Sequence, residues 1–142
     1  MIIEYNCRMG DPETEVVLPK LKNDLVDLFL AVEQGSLKEC VIEMDASAFC
    51  TVVAVSGGYP GSYEKNLPIA GLEASTLDRD VFIFHAGTKR AGNEVVTNGG
   101  RVLTVTSKGD NLKDAVAKSI DALERISFKG MYFRKDIGYE FE

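Results

Sequence analysis

An α+β fold is predicted, with a helical opening followed by an antiparallel β body covered by one helix. Three observations carry that prediction: apolar residues at helical spacing over residues 23–34, a nearly continuous apolar and β-branched run over residues 49–56, and a late amphipathic stretch over residues 111–126. With 142 residues, 45% of them hydrophobic, the chain is long enough for one well-packed domain plus a tail.

Residues 2–8 alternate as a strand does, with Ile3, Tyr5 and Cys7 on one face and Glu4, Asn6 and Arg8 on the other. Asp11-Pro12-Glu13 reads as a helix start. Asp11 supplies an N-cap acceptor, Pro12 stands where its missing N–H costs nothing, and Glu13 is an acid near the positive helix end. Pro19 ends or kinks that helix. In the second helix Leu25, Leu28, Phe29 and Val32 form the face expected to be buried, and Gly35 is the expected left-handed stop. These helices read as a connector. Composition shifts near residues 35–45, which divides the chain into 1–36 and 37–142.

In the β body, the run at 49–56 leads into a turn-rich stretch, Gly57-Gly58-Tyr59-Pro60-Gly61-Ser62-Tyr63, and then a strand at 81–85. Residues 94–97 and 101–107 flank Asn98-Gly99-Gly100, and Asn-Gly is a hairpin signal, so an antiparallel pair is expected across it. The helix at 111–126 carries Leu112, Val116, Ile120 and Leu123 on one face and should cover one side of the sheet. The tail at 133–141 is short and mixed in pattern, with Tyr132 and Phe133 expected to pack on the sheet.

The formal net charge of -6 argues against a broad nucleic-acid or anionic-membrane surface, which needs clustered Lys and Arg. Cys7, Cys40 and Cys50 are odd in number and have no CxxC spacing, so neither a disulfide framework nor a zinc site is expected, and a reducing, cytoplasmic setting fits. Each reads as a small apolar filler rather than a nucleophile. No apolar run approaches a membrane span of about 20 residues, and the opening Met1-Ile2-Ile3-Glu4 lacks the regions of a signal peptide.

Five ordered blocks carry a family resemblance. They are Glu4-Tyr5-Asn6-Cys7-Arg8-Met9-Gly10-Asp11-Pro12-Glu13-Thr14-Glu15-Val16-Val17-Leu18-Pro19, then Ser56-Gly57-Gly58-Tyr59-Pro60-Gly61-Ser62-Tyr63-Glu64-Lys65, then His85-Ala86-Gly87-Thr88, then Thr97-Asn98-Gly99-Gly100-Arg101-Val102-Leu103, and finally Tyr132-Phe133-Arg134-Lys135-Asp136-Ile137-Gly138-Tyr139. The first resembles the closing motif of the ATP-grasp domain in phosphoribosylamine-glycine ligases, and the others resemble the C-terminal domain of the same enzymes. The family's sequence extends far upstream of Glu4, so the resemblance implies a C-terminal part whose partner is the missing N-terminal part of the same enzyme. It implies a remnant of the ATP-grasp domain and a helical connector over 1–36, then an antiparallel, barrel-sandwich-hybrid-like β domain over 37–142. The implied reaction joins glycine to 5-phosphoribosylamine with ATP as substrate and Mg²⁺ or Mn²⁺ as metal. The fragment alone is expected to be inactive.

The chemistry of the residues agrees with that implication without compelling it. Mg²⁺ prefers hard oxygen donors and takes one or two from protein. Glu4 and Asn6 can supply them from one strand face, although the same face can simply meet water. By the resemblance, Arg8 beside them would steady a phosphate or the acyl phosphate. Asp11 and Glu13 are better explained by helix capping. The loop at 56–63 reads either as an anion cradle or as a long turn, and matches neither a P-loop nor a dinucleotide fingerprint. His85 is the only histidine, and a lone histidine is more often structural; its family block makes it a substrate-contact candidate. Asn98, Gly99, Gly100 and Arg101 either bind the ribose 5-phosphate of the amine substrate or form an ordinary hairpin with a solvated arginine. Two other classes compete. A stand-alone small-molecule-binding or regulatory module would have no need of Glu4 and Asn6. A biotinyl or lipoyl carrier needs a lysine at a hairpin tip, where this chain has Asn98-Gly99-Gly100.

Overall fold

The computed structural model describes residues 7–75 and 78–141. The chain divides into two compact units, Met1–Ser47 and Ala48–Glu142, later in the sequence than the composition shift suggested.

In the first unit, α1 (Glu13–Val17) gives way at Pro19 to a 3-10 turn, Leu18–Lys20. Pro12 takes the capping position of α1 and makes no side-chain cap bond, so Asp11 is not the N-cap that the sequence suggested. The acid at Glu13 does serve the helix start: its Oε2 accepts from Gly10 N–H at 3.2 Å, while Thr14 Oγ1 donates to Gly10 O at 2.6 Å. The second helix, α2 (Leu25–Glu33), is capped by Asp24, whose Oδ1 accepts from Val26 N–H at 2.8 Å, and it stops at Gly35 with φ +69°. The chain then returns along residues 20–23, held by Lys22 N–H to Glu43 O at 2.9 Å and by Asn23, which donates to Val41 O and accepts from Glu43 N–H.

The expected buried face of α2 is not buried. Only Ala31 is, while Phe29 is 62% and Val32 58% exposed and Leu28 is half-buried. The helical spacing was read correctly, but among the described residues of this unit no sheet or second long helix covers the stripe.

The second unit contains β1 (Ala48–Val55), α3 (Leu72–Ser75), β2 (Val81–His85), β3 (Thr88–Ala91), β4 (Glu94–Thr97), β5 (Arg101–Gly109) and α4 (Leu112–Glu124). One antiparallel sheet has the order β1-β5-β2, and β3 and β4 form a separate antiparallel pair. The hairpin expected across Asn98-Gly99-Gly100 therefore does not exist, since β4 pairs with β3 and β5 with β1 and β2. The tight reversal falls instead at Gly92-Asn93, where Ala91 pairs with Glu94 and Gly92 adopts φ +62°, a conformation that suits the first place of a two-residue hairpin loop.

Register places Cys50, Val52 and Ala54 of β1 beside Ser107, Val105 and Leu103 of β5, one row on one face. Against that row pack Ala115, Ala122 and Leu123 of α4, with Ile126 and Phe128 beyond its end. The helix begins on Asn111, whose Oδ1 accepts from Asp114 N–H at 3.0 Å, and Ser119 Oγ donates to Cys50 O at 3.1 Å. Lys118 Nζ ties the helix to the sheet, reaching Lys108 O at 3.1 Å, Asp114 at 3.2 Å and Asp80 at 3.3 Å. The N–H of Asp110 and then the Lys118 ammonium hold the Asp114 carboxyl below its ordinary range. No helix among the described residues is long and apolar enough to cross a membrane.

Leu123 and Ser107 are both fully buried, but Ser107 Oγ has no hydrogen-bond partner among the described residues. Leu123→Ala is expected to cost about 2–5 kcal/mol through lost contacts and a residual cavity. Ser107→Ala is expected to leave stability unchanged or raise it by about 1 kcal/mol, because an unsatisfied hydroxyl is removed. Urea unfolding of the two variants checks both; a larger loss from Ser107→Ala than from Leu123→Ala would contradict this picture of the core.

Candidate functional site

Three backbone segments meet at one end of the β1-β5-β2 sheet. Segment 56–59 leaves β1, segment 85–88 joins β2 to β3, and segment 98–101 joins β4 to β5. Ser56 is buried and donates twice to the third segment, from its N–H to Gly100 O at 2.8 Å and from Oγ to Gly99 O at 2.9 Å. Gly87 O accepts from Asn98 N–H at 2.7 Å and Gly99 N–H at 3.1 Å, and Gly87 N–H donates to Arg101 O at 2.8 Å. The chain thus crosses from the small sheet into the large one.

Glycine is required at these crossings because there is no room for a Cβ. A methyl on Gly87 would strike Arg101 O and stand 2.7 Å from Gly99 Cα, one on Gly57 would stand 2.7 Å from Gly130 O, and one on Gly100 would fall into the Tyr59 ring. Neither Gly99 nor Gly100 has a positive φ, so space and not backbone freedom selects them.

Of the residues singled out from sequence, the structure brings the backbones of Asn98, Gly99 and Arg101 to Gly87 and that of Gly100 to Ser56, with Asn98 exposed. His85 closes β2 opposite Leu103, is exposed, and places Nδ1 2.9 Å from Thr88 Oγ1. Arg8 belongs to the first unit, where it is exposed and donates from Nη1 to Met9 O at 3.2 Å. Glu4 and Asn6 lie outside the described residues. Among the described residues no group of three or more His, Cys, Asp or Glu is arranged to hold a metal.

Sequence reasoning missed two members of the junction, Ser56 as the residue that anchors the turn and Tyr59 as the ring against Gly100. The clustered glycines were the available signal, because backbones that touch leave glycine at the point of contact. In the tail, Tyr132 pairs with Val55 through its backbone while its ring is 61% exposed, so only Phe133 packs as expected. Arg134 is held by a two-point contact to Asp136 at 2.9 and 3.0 Å. Burial raises the Cys50 thiol, as suits a filler, whereas Cys7 is exposed.

Residues 49–140 match the family model described as the phosphoribosylglycinamide synthetase C domain. The chain belongs to that family. The C domain begins one residue after Ala48, the start of the second unit, and contains the whole glycine junction. Over 138 residues the chain is 50% identical to the bifunctional purine biosynthetic protein purD of Dictyostelium discoideum, covering 96% of this chain and 17% of that one. It is 48% identical to the phosphoribosylamine-glycine ligase of Halalkalibacterium halodurans, covering 96% of this chain and 31% of that one. The crystal structure of the phosphoribosylamine-glycine ligase from Thermotoga maritima superposes with a TM-score of 0.73 at 31% identity, over 95% of this chain and 32% of that one. The chain therefore spans no more than about a third of the relatives it matches.

The crossing and the true hairpin make opposite demands on their glycines. Gly87→Ala in the C domain is expected to cost about 1–3 kcal/mol or more, because the backbones must part. Gly92→Ala, where a Cβ meets nothing within 4 Å, should cost only the strain of the left-handed conformation, about 1 kcal/mol. Thermal unfolding ranks the two, and the reverse order would contradict the steric assignment.

Proposed function

We propose that this chain is the C-terminal part of a cytoplasmic ligase of purine biosynthesis that joins glycine to 5-phosphoribosylamine, converting ATP to ADP and phosphate. The observation that carries this reading is the match over 96% of the chain to relatives named for that ligation, including the opening residues that precede the C domain. In this reading the first unit is the end of the ATP-grasp domain with its helical connector, and the second is the accessory domain of barrel-sandwich-hybrid type. The boundary between the two is proposed at 36/37, where composition shifts, a little before the compact units divide at Ser47.

The glycine carboxylate takes the γ-phosphoryl group of ATP, giving an acyl phosphate and ADP. The amine of phosphoribosylamine then attacks the acyl carbon and phosphate leaves. A free amine needs little activation near neutral pH, so the protein supplies mainly positioning and charge neutralisation. Glu4 and Asn6 are the residues proposed to hold Mg²⁺ or Mn²⁺, and their carboxylate and amide oxygens are the hard donors that such an ion prefers. The metal would neutralise phosphate charge as it develops. Arg8 would steady the transferred phosphoryl group.

The turn at 98–101, with His85 near it, is the proposed contact for the ribose 5-phosphate. Two of its N–H groups are already given to Gly87 O, whereas Gly100 N–H makes no backbone hydrogen bond among the described residues. A phosphate would be met by that N–H and by the side chains of Asn98 and Arg101, the arginine offering the planar fork that suits phosphate.

Glu4→Ala in the full-length ligase is expected to lower Mg²⁺-dependent turnover on the order of 100-fold or more, and near-wild-type activity at limiting Mg²⁺ would sink the metal assignment. The 142-residue chain alone is expected to catalyse no ligation and to bind ATP too weakly for calorimetry. Clear micromolar binding of ATP by this chain would favour a stand-alone binding module instead.

A further inference from the structure

The loop that follows β1 carries an aromatic ring with an unusual support. Tyr59 is 42% exposed, so its ring is not a core residue. It is held at short range by Gly100, whose α-carbon faces Cδ2 and Cε2 of the ring closely enough that no side chain fits between them. The other edge of the loop is fixed as well. Tyr59 N–H donates to Ser56 O at 3.0 Å, Gly57 lies against Gly130, and Lys129 Nζ meets Glu64 Oε2 at 2.9 Å. The ring of Tyr63 lies 6.3 Å away between centroids, tilted by 57°. A ring mounted on a braced loop thus bears on the glycine of the turn whose N–H, among the described residues, is not taken up by the backbone.

We propose that Tyr59 is a positioning residue for substrate binding: its ring bears on Gly100 and, together with Ser56, fixes the direction of the Gly100 N–H. Gly87 O restrains the turn at Asn98 and Gly99, and Ser56 restrains it through the carbonyls of Gly99 and Gly100. The Gly99–Gly100 peptide that carries the Gly100 N–H is thus held at its carbonyl by Ser56 Oγ. The Tyr59 ring adds a second restraint beside it, packing where a side chain on the Gly100 α-carbon would stand. The ligand chemistry served is a phosphomonoester on a sugar, met by one N–H and one guanidinium. This inference rests on the reading of the turn at 98–101 as the ribose 5-phosphate contact. It adds a residue that touches the turn and not the ligand, and an aromatic face rather than a hydroxyl as the working group.

Steady-state kinetics of the full-length ligase test the proposal, with Tyr59→Phe, Tyr59→Leu, Tyr59→Ala and Arg101→Ala compared. Tyr59→Ala and Tyr59→Leu are expected to raise the KM for phosphoribosylamine about tenfold or more, with kcat and the KM values for ATP and glycine within about twofold. Tyr59→Phe is expected to behave as wild type, because the ring is kept. A general loss of structure would lower kcat or raise all three KM values together, and that pattern overturns the proposal, as does an unchanged KM in both ring-deleted variants. Arg101→Ala separates this inference from the reading beneath it. If it raises the KM for phosphoribosylamine and the Tyr59 variants do not, only the positioning role falls; if it also changes nothing, both fall. In the 142-residue chain itself, an α-proton of Gly100 should resonate upfield under the ring current in wild type and Tyr59→Phe and lose that shift in Tyr59→Ala. Absence of the shift in wild type would contradict the contact.

Discussion

The second unit depends on one backbone crossing, the approach of Gly87 to the segment that enters β5. Gly87 N–H bonds to Arg101 O while Gly87 O takes the N–H groups of both Asn98 and Gly99. Those three bonds bring the end of β2 and the start of β5 into register and carry the chain out of the small β3-β4 pair. They are possible only because neither glycine carries a Cβ. Everything at that end of the sheet follows from it: the anchoring of Ser56, the place of Arg101, and the space that the Tyr59 ring occupies.

Behind the crossing, β5 works as the structural spine. It pairs on both edges and is buried from Val102 to Ser107, on one face by α4. A strand so enclosed fixes the backbone of its first residue, Arg101, and a site built on such a strand loses less order on binding than one on a free loop. The first unit contrasts with this, since Phe29, Val32, Val41 and Ile42 stand exposed there.

Local signals were the legible ones. Gly35 marks a helix end through the bond of its N–H to Val32 O three positions back, so a short window of sequence contains the whole interaction, whereas the cap expected of Asp11 falls to Pro12. The strands at 48–55, 81–85 and 101–109 and the helix at 112–124 were legible from periodicity for the same reason. What failed was pairing. Asn98-Gly99 looks like a hairpin because both residues tolerate positive φ, yet the structure uses neither in that way and needs Gly99 only for its lack of a side chain. Which strand β5 joins is decided by burying Leu103, Val105 and their partners on β1, contacts about fifty positions apart that no local pattern encodes. Burial on α2 failed for a related reason, since spacing identifies an apolar stripe but not whether anything covers it. The proposed site followed the same division: the glycine clusters were visible as motifs, whereas Ser56 and Tyr59 became recognisable only once the segments had met.

The most direct measurement is a crystal structure of the full-length protein proposed to contain this chain, solved with glycinamide ribonucleotide, the product of the proposed reaction. The product's phosphate is expected within hydrogen-bond distance of Gly100 N–H and the Arg101 guanidinium, with the Tyr59 ring still resting on Gly100. A phosphate bound elsewhere, with the turn at 98–101 turned away from the ligand, would contradict the assignment of the glycine junction as the substrate contact.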